Sequence, residues 1–263
     1  MKAQPAVVVH RDGPVALLTL ARPDRANAMD DEITDALLDE LGALCQDTDV
    51  RAVVLTGAGK AFSAGGDFAT IRLMQTDRAL RDSMLAAHHE LFRLITGMPF
   101  PSVAAVNGPA VGAGATLALS CDLVVMADEA YLSDPRVSLG LVDGAGGFVL
   151  WPLLTSLSAA KEHLLLGDRV SSAQALRLGL ANRVVPTADA LPQALRLAHR
   201  LAEQPPHAVR QAKRLLNHPL QTAVGLLEES RRVETECFDT EEHRRRLDEL
   251  SARVTAKAKA GNP

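Results

Sequence analysis

Two segments, Ala61-Phe62-Ser63-Ala64-Gly65-Gly66-Asp67 and Asn107-Gly108-Pro109-Ala110-Val111-Gly112-Ala113-Gly114-Ala115-Thr116, are nearly bare of bulky side chains, and each follows or overlaps an apolar, strand-like run. A chain with two such stretches can bring backbone against backbone around one ligand atom. Amide N–H groups at a turn or a helix start are positively polarised, and without side chains in the way they reach an oxygen that is gaining negative charge. The pair therefore points to carbonyl chemistry.

Three commoner uses of glycine loops fail on inspection. A phosphate loop ending at Lys60 needs glycine at position 54 and Ser or Thr at 61, where the chain has Val54 and Ala61. The dinucleotide pattern G-x-G-x-x-G breaks at Phe62 in the first segment and at Leu117 in the second. A serine nucleophile elbow around Ser63 needs glycine where Ala61 stands.

The order of elements supports a layered α/β domain. Val7 to His10 and Val15 to Leu20 read as a hairpin turned by Asp12-Gly13. Ile33, Leu37, Leu41 and Leu44 recur at helical spacing behind an acidic start at Asp30, Asp31 and Glu32. Arg51 to Thr56, Val103 to Val106, Leu123 to Met126 and Arg183 to Val185 read as strands, with a short one near Tyr131. Helices are expected from Arg78 to Thr96, through Ala118, from Ser158 to Gly167, and from the capping box at Ser171 to Gly179. After Pro186 the strands cease, and residues 191–202, 206–215 and 222–258 are helical in pattern. No flexible linker separates this tail, so it packs on the body or on a neighbouring subunit.

Composition narrows the partners. Hydrophobic residues make up 47% of 263, enough for a packed core, while aromatics are only 3%, too few for base-stacking platforms. The net charge of −4 argues against nucleic acid and anionic membranes. Cys45, Cys121 and Cys237 are widely spaced and odd in number, which fits reduced thiols rather than disulfides or a zinc site. The N-terminus lacks a signal-peptide core, and prolines and Asn107-Gly108 interrupt the uncharged run from Leu94 to Cys121, so a soluble cytoplasmic chain is expected.

Arg22-Pro23 with Asn27-Ala28-Met29, Ala61 to Asp67, Ala105-Val-Asn-Gly108 with Gly112 to Gly114, and Gly144-Ala-Gly-Gly147, in this order from about residue 5 to 190, resemble the crotonase (enoyl-CoA hydratase/isomerase) family. The resemblance implies a crotonase-like core of repeated ββα units over residues 1–190. A helical C-terminal region, 191–263, would serve trimerisation and part of the CoA site, in a homotrimer or dimer of trimers. It implies an acyl-CoA thioester as ligand and no metal or redox cofactor, coenzyme A entering as part of the substrate. By position, the N–H groups of Gly66 and Ala113 correspond to oxyanion-hole donors. Arg25, Ala26, Ala28, Ala64, Asp67, Phe68 and Ala69 fall where the family walls its CoA adenine and pantetheine, with Asp67 also suited to cap its loop. Arg25, Lys257 and Lys259 are candidates for the CoA phosphates.

The chain departs from the family where hydration needs two carboxylates, one for the water and one for the α carbon. The positions of the hydratase glutamates hold Thr116 and, after Pro135, Arg136. Thr116 can bond a water but is no base near neutral pH, and Arg136 is permanently cationic. Asp143, in the turn where isomerases of the family carry an aspartate, is the candidate acid/base, and the same position suits a helix cap before Gly144. Asp134 is expected to pair with Arg136 or cap a turn. Of His88 and His89 at most one can face an acyl pocket lined by 71–94 and by the chain from Phe148 on. The expected activity is a proton or double-bond shift through a thioester enolate. The alternatives are hydration or hydrolysis by a Thr116-positioned water, and acyl-CoA binding without turnover.

Overall fold

The computed structural model describes residues 5–260, with side chains to residue 252. Strands β1 (Val7–Asp12) and β2 (Val15–Leu20) form the antiparallel hairpin, with Gly13 at φ +57 supplying the turn. Helix α1 (Asp31–Gln46) buries Ile33, Leu37, Leu41 and Leu44, and Asp30 caps it by accepting the Ile33 N–H at 3.0 Å. There follow β3 (Ala52–Gly57), α2 (Phe68–Met74), α3 (Arg78–Gly97), β4 (Ser102–Val106), β5 (Ala110–Val111), α4 (Ala113–Ser120), β6 (Leu123–Ala127) and β7 (Tyr131–Ser133). Next come α5 (Gly147–Leu154), α6 (Leu157–Leu166), β8 (Val170–Ser171), α7 (Ser172–Leu178) and β9 (Arg183–Val185). The helical end comprises α8 (Ala190–Ala202), α9 (Pro206–Leu216), α10 (His218–Thr222), α11 (Val224–Phe238) and α12 (Glu241–Ala260).

Three short helices lie outside the periodicity reading: α2, α5 and the five-residue α10. α2 is only seven residues long and starts at the Asp67 cap, and α5 is apolar all round and begins in glycines, so neither shows an amphipathic stripe. The stretch 222–258 is not one helix. Thr240 breaks it, its hydroxyl donating to Cys237 O at 2.7 Å and accepting the His243 N–H at 3.2 Å, so that it caps α12. Neither Gly nor Pro marks that break.

The large sheet has the order β1-β2-β3-β4-β6-β9, parallel except for the β1 hairpin edge. Its central strands β3 and β4 are buried on both faces, as the middle of a parallel sheet requires. Val53, Leu55, Ala104 and Val106 point to the main core beneath α1, α3 and α4, while Ala52, Val54, Val103 and Ala105 point to α8. α8 meets them with Ala194, Leu197, Ala198 and Ala202, so the helical region packs on the body from its first helix. α9 is fastened by buried Lys213, whose Nζ donates to Ile95 O at 3.1 Å and Phe100 O at 3.0 Å and pairs with Asp122 at 2.7 Å. Among the described residues no helix is long and apolar enough to cross a membrane.

A second, smaller layer positions the two glycine segments. β5, β7 and β8 form a three-stranded sheet, and parallel bridges Ser63–Ala110 and Met29–Gly66 extend it, so β3, β4 and β6 each send their following segment from the large sheet into the small one. This is the repeated ββα architecture. Asn27, at φ +54 and fully buried, braces the turn after β3: its Nδ2 lies 2.9 Å from both Ala58 O and Ala61 O, and its Oδ1 accepts the Arg22 N–H at 3.0 Å.

The approach of the two segments leaves no room for side chains. A Cβ on Gly114 would lie 2.6 Å from Ser63 Cβ and 2.8 Å from Ser63 O, a clash with backbone that cannot swing away. Gly114→Ala is expected to cost about 1–3 kcal/mol in denaturant unfolding. Gly42→Ala, inside α1 with nothing within 4 Å of the new methyl, is expected to gain up to about 1 kcal/mol.

Candidate active site

Gly65 adopts φ +86, and a Cβ there would meet the Val111 carbonyl oxygen at 2.5 Å and the Ala113 nitrogen at 3.7 Å. The first glycine segment thus lies directly on the start of α4. The Met29 N–H donates to Gly65 O at 2.7 Å and the Asp67 N–H to Met29 O at 3.2 Å. These bonds use the peptide groups on either side of Gly66 and turn its own N–H to the other side. Ala113 is the first residue of α4, after Gly112 at φ +51, so its N–H has no acceptor within the helix. Both residues line one cavity of ≈ 120 Å³.

The cavity is mainly apolar. Phe68, Ile71 and Met74 from α2, Met84 and Leu85 from α3, and Leu141 and Phe238 wall it, together with His88, Arg136 and Glu234. The expected 71–94 wall is present, whereas Phe148 is not part of it and Trp151 is a fully buried core residue. Of the two adjacent histidines, His88 faces the cavity, with its Nε2 3.5 Å from Thr34 Oγ1. Burial and the Arg136 charge push its imidazole down to about 4, so it is neutral.

The residues expected along CoA divide by exposure. Arg25, Ala64 and Ala69 are exposed, and Ala26, at φ +51, accepts the Ala64 N–H at 2.9 Å. Ala28 is buried beside them, and Arg25 reaches toward Asp30 at 3.5 Å. Asp67 caps α2: its Oδ1 accepts from Ala69 N at 2.9 Å and Thr70 N at 3.0 Å. The side chains of Lys257 and Lys259 lie outside the described residues.

Beside the Gly66 and Ala113 N–H groups sits a buried charge cluster. Asp143 is ion-paired with Arg136, accepts from Thr116 Oγ1 at 3.0 Å and takes the Ala145 N–H on its other oxygen at 2.6 Å. Burial alone would raise its carboxyl, but the guanidinium and the two other donors hold it below the usual carboxylate range. Asp143 thus stands as a fixed anion and lines neither the main cavity nor the small one beside Thr116, and the cap of α5 is Gly146. This placement runs against the proton-carrying role expected of Asp143. Asp134 also pairs with Arg136, at 3.3 Å, and hydrogen-bonds Asp143; burial pushes it up to about 7. Thr116 accepts from Arg136 Nη2 at 3.4 Å, so Thr116, Arg136 and Asp143 form one connected unit.

Glu234 completes the cluster from the far end of the chain. It is 7% exposed, and its Oε2 accepts the Gly144 N–H at 2.9 Å. Burial pushes its carboxyl up to about 8, with the Arg136 charge opposing and Asp143 reinforcing. The residue was missed from sequence, although a signal existed. Leu227, Ser230, Glu234 and Phe238 are the buried stripe of α11, so a carboxyl occupies a position where the helical period calls for an apolar group.

A family model described as enoyl-CoA hydratase/isomerase matches residues 10–252. A putative enoyl-CoA hydratase of Thermus thermophilus is 42% identical over 207 residues, covering 78% of this chain and 81% of that protein. A short-chain-enoyl-CoA hydratase of Clostridium acetobutylicum is 32% identical over 241 residues, covering 90% and 91%. A solved enoyl-CoA hydratase/isomerase from Mycobacterium paratuberculosis superposes with a TM-score of 0.89 at 38% identity, over 95% of this chain and 100% of that one. With its interlocked ββα units and paired glycine segments, the chain belongs to the enoyl-CoA hydratase/isomerase family.

Proposed function

We propose that this family member is an acyl-CoA enzyme that holds a thioester oxygen between the Gly66 and Ala113 N–H groups while enolate charge develops on it, and that it moves a proton or a double bond. The observation that carries this reading is the pair of unsatisfied N–H groups turned into one mostly apolar cavity, beside Thr116 and Arg136 rather than two glutamates. The exposed strip of Arg25, Ala64 and Ala69 suits the CoA end, with Ala26, Ala28, Asp67 and Phe68 as its floor. Asp143 serves as a fixed counter-ion that keeps Arg136 and Thr116 in place. The hydratase names of the relatives favour a second reading, hydration by a water held on Thr116.

A homotrimer or dimer of trimers goes with this reading. Leu153, Leu157, Leu165 and Leu166 are exposed on consecutive helices α5 and α6, apolar surface that supports self-association. Light scattering is expected to give three or six times the chain mass.

Turnover of crotonyl-CoA against 3-enoyl-CoA separates the readings, the second substrate being expected to react faster. Acyl-CoA binding without turnover of either would leave a binding protein. Ala113→Pro removes one donor at a helix position that accepts proline, and is expected to lower kcat about 100- to 1000-fold. The charge cluster also sets a stability profile. Asp134 and Glu234 have folded values raised to about 7 and about 8, so the folded state binds more protons than the unfolded one above pH ~4. The stability they contribute is complete below that pH and is lost as pH rises to 8. The thermal midpoint is therefore expected to fall between pH 5 and 9, and Asp134→Asn to flatten part of that slope.

A further inference from the structure

The oxyanion donors hold the electrophile, but a proton or double-bond shift also needs a group that takes and returns a proton. The family's usual carboxylate positions hold Thr116 and Arg136, neither of which is a base. Asp143 has both oxygens committed, to Arg136 and Thr116 on one and to the Ala145 N–H on the other. Asp134 is buried behind Arg136 and does not line the cavity.

One carboxyl remains at the cavity wall. Glu234 reaches it from α11, across the Gly144 turn, where α11 packs so closely that a Cβ on Gly144 would lie 3.0 Å from Arg231 Cα. Its Oε2 is fixed by the Gly144 N–H, and among the described residues no other hydrogen bond holds the carboxyl. This orients the group while leaving Oε1 uncommitted. We propose that Glu234 is the catalytic acid/base of this site, carrying a proton between substrate carbons while Gly66 and Ala113 hold the enolate oxygen.

This assignment rests on the acyl-CoA enolate reading above. For a 3-enoyl thioester the ionised Glu234 takes a proton from C2: the C2–H bond breaks, a carboxyl O–H forms, and the electron pair delocalises onto the thioester oxygen. The carboxyl then returns the proton to C4, the O–H breaks, and the double bond moves from C3–C4 to C2–C3. No water and no other reactant enters. The charged and titratable groups facing Glu234 are Arg136, Asp143 and Asp134 from the body, with the Cys237 thiol on its own helix. Burial, partly offset by Arg136 and reinforced by the two aspartates, pushes it up to about 8, so activity requiring the carboxylate rises with pH through that value.

The test uses the full-length protein with 3-hexenoyl-CoA for isomerisation and butyryl-CoA in deuterated water for exchange of the α protons. Glu234→Gln keeps an oxygen for the Gly144 N–H and nearly the same volume. It is expected to lower both rates about 100- to 10,000-fold while the Kd for butyryl-CoA stays within about 3-fold, with Glu234→Asp recovering part of the loss. In the unmodified protein kcat/KM for isomerisation is expected to rise through pH 8 and to level off only above it. Exchange that persists in Glu234→Gln, or a profile flat from pH 6 to 9, overturns the assignment while leaving the enolate reading intact. Absence of exchange in the unmodified protein overturns the enolate reading itself, and the role of Glu234 with it.

Discussion

The contact of Ser63-Ala64-Gly65-Gly66 with Ala110-Val111-Gly112-Ala113-Gly114 is the constraint on which the rest of the site depends. It is a backbone-to-backbone contact, fixed by the Ser63–Ala110 bridge and by the absence of Cβ atoms at Gly65 and Gly114. Both segments are delivered by parallel strands, β3 and β4, whose burial on two faces leaves little freedom in where they end. The Asn27 amide then ties the turn after β3 to the loop before α1. Among the described residues the Gly66 and Ala113 N–H groups are thereby left without partners at a cavity wall.

Electrostatics divides the labour between neighbouring carboxyls. One guanidinium, Arg136, faces three buried acids, and the geometry lets it neutralise Asp143 most closely. Asp134 and Glu234 are left with burial dominating, so they hold protons up to about 7 and about 8. Arg136 therefore fixes one neighbouring aspartate as an anion, while burial keeps the other two carboxyls protonated up to near neutral pH.

Some of this was legible residue by residue. The α1 stripe, the Asp12-Gly13 hairpin and the Ser171–Gln174 capping box depend on contacts within a few residues, and they form as the local pattern implies. The glycine segments were legible because small residues are a direct statement about close approach. α2 and α5 were not, since a short helix and an all-apolar one carry no amphipathic period, and the Thr240 break is made by a side-chain bond rather than by Gly or Pro.

Sequence alone determined the family, the layered α/β body and the two bare segments, because each is encoded in local composition and order. The resemblance also implied that Thr116 and Arg136 stand at positions where hydratases of the family carry glutamates. Only the tertiary structure decided which carboxyl faces the cavity. Asp143 lies close in sequence to the glycines yet is held by Arg136, while Glu234, some ninety positions later, is brought to Gly144 by the packing of α11. Ionisation and accessibility are set by what surrounds a group in space, and that information is not local in the chain.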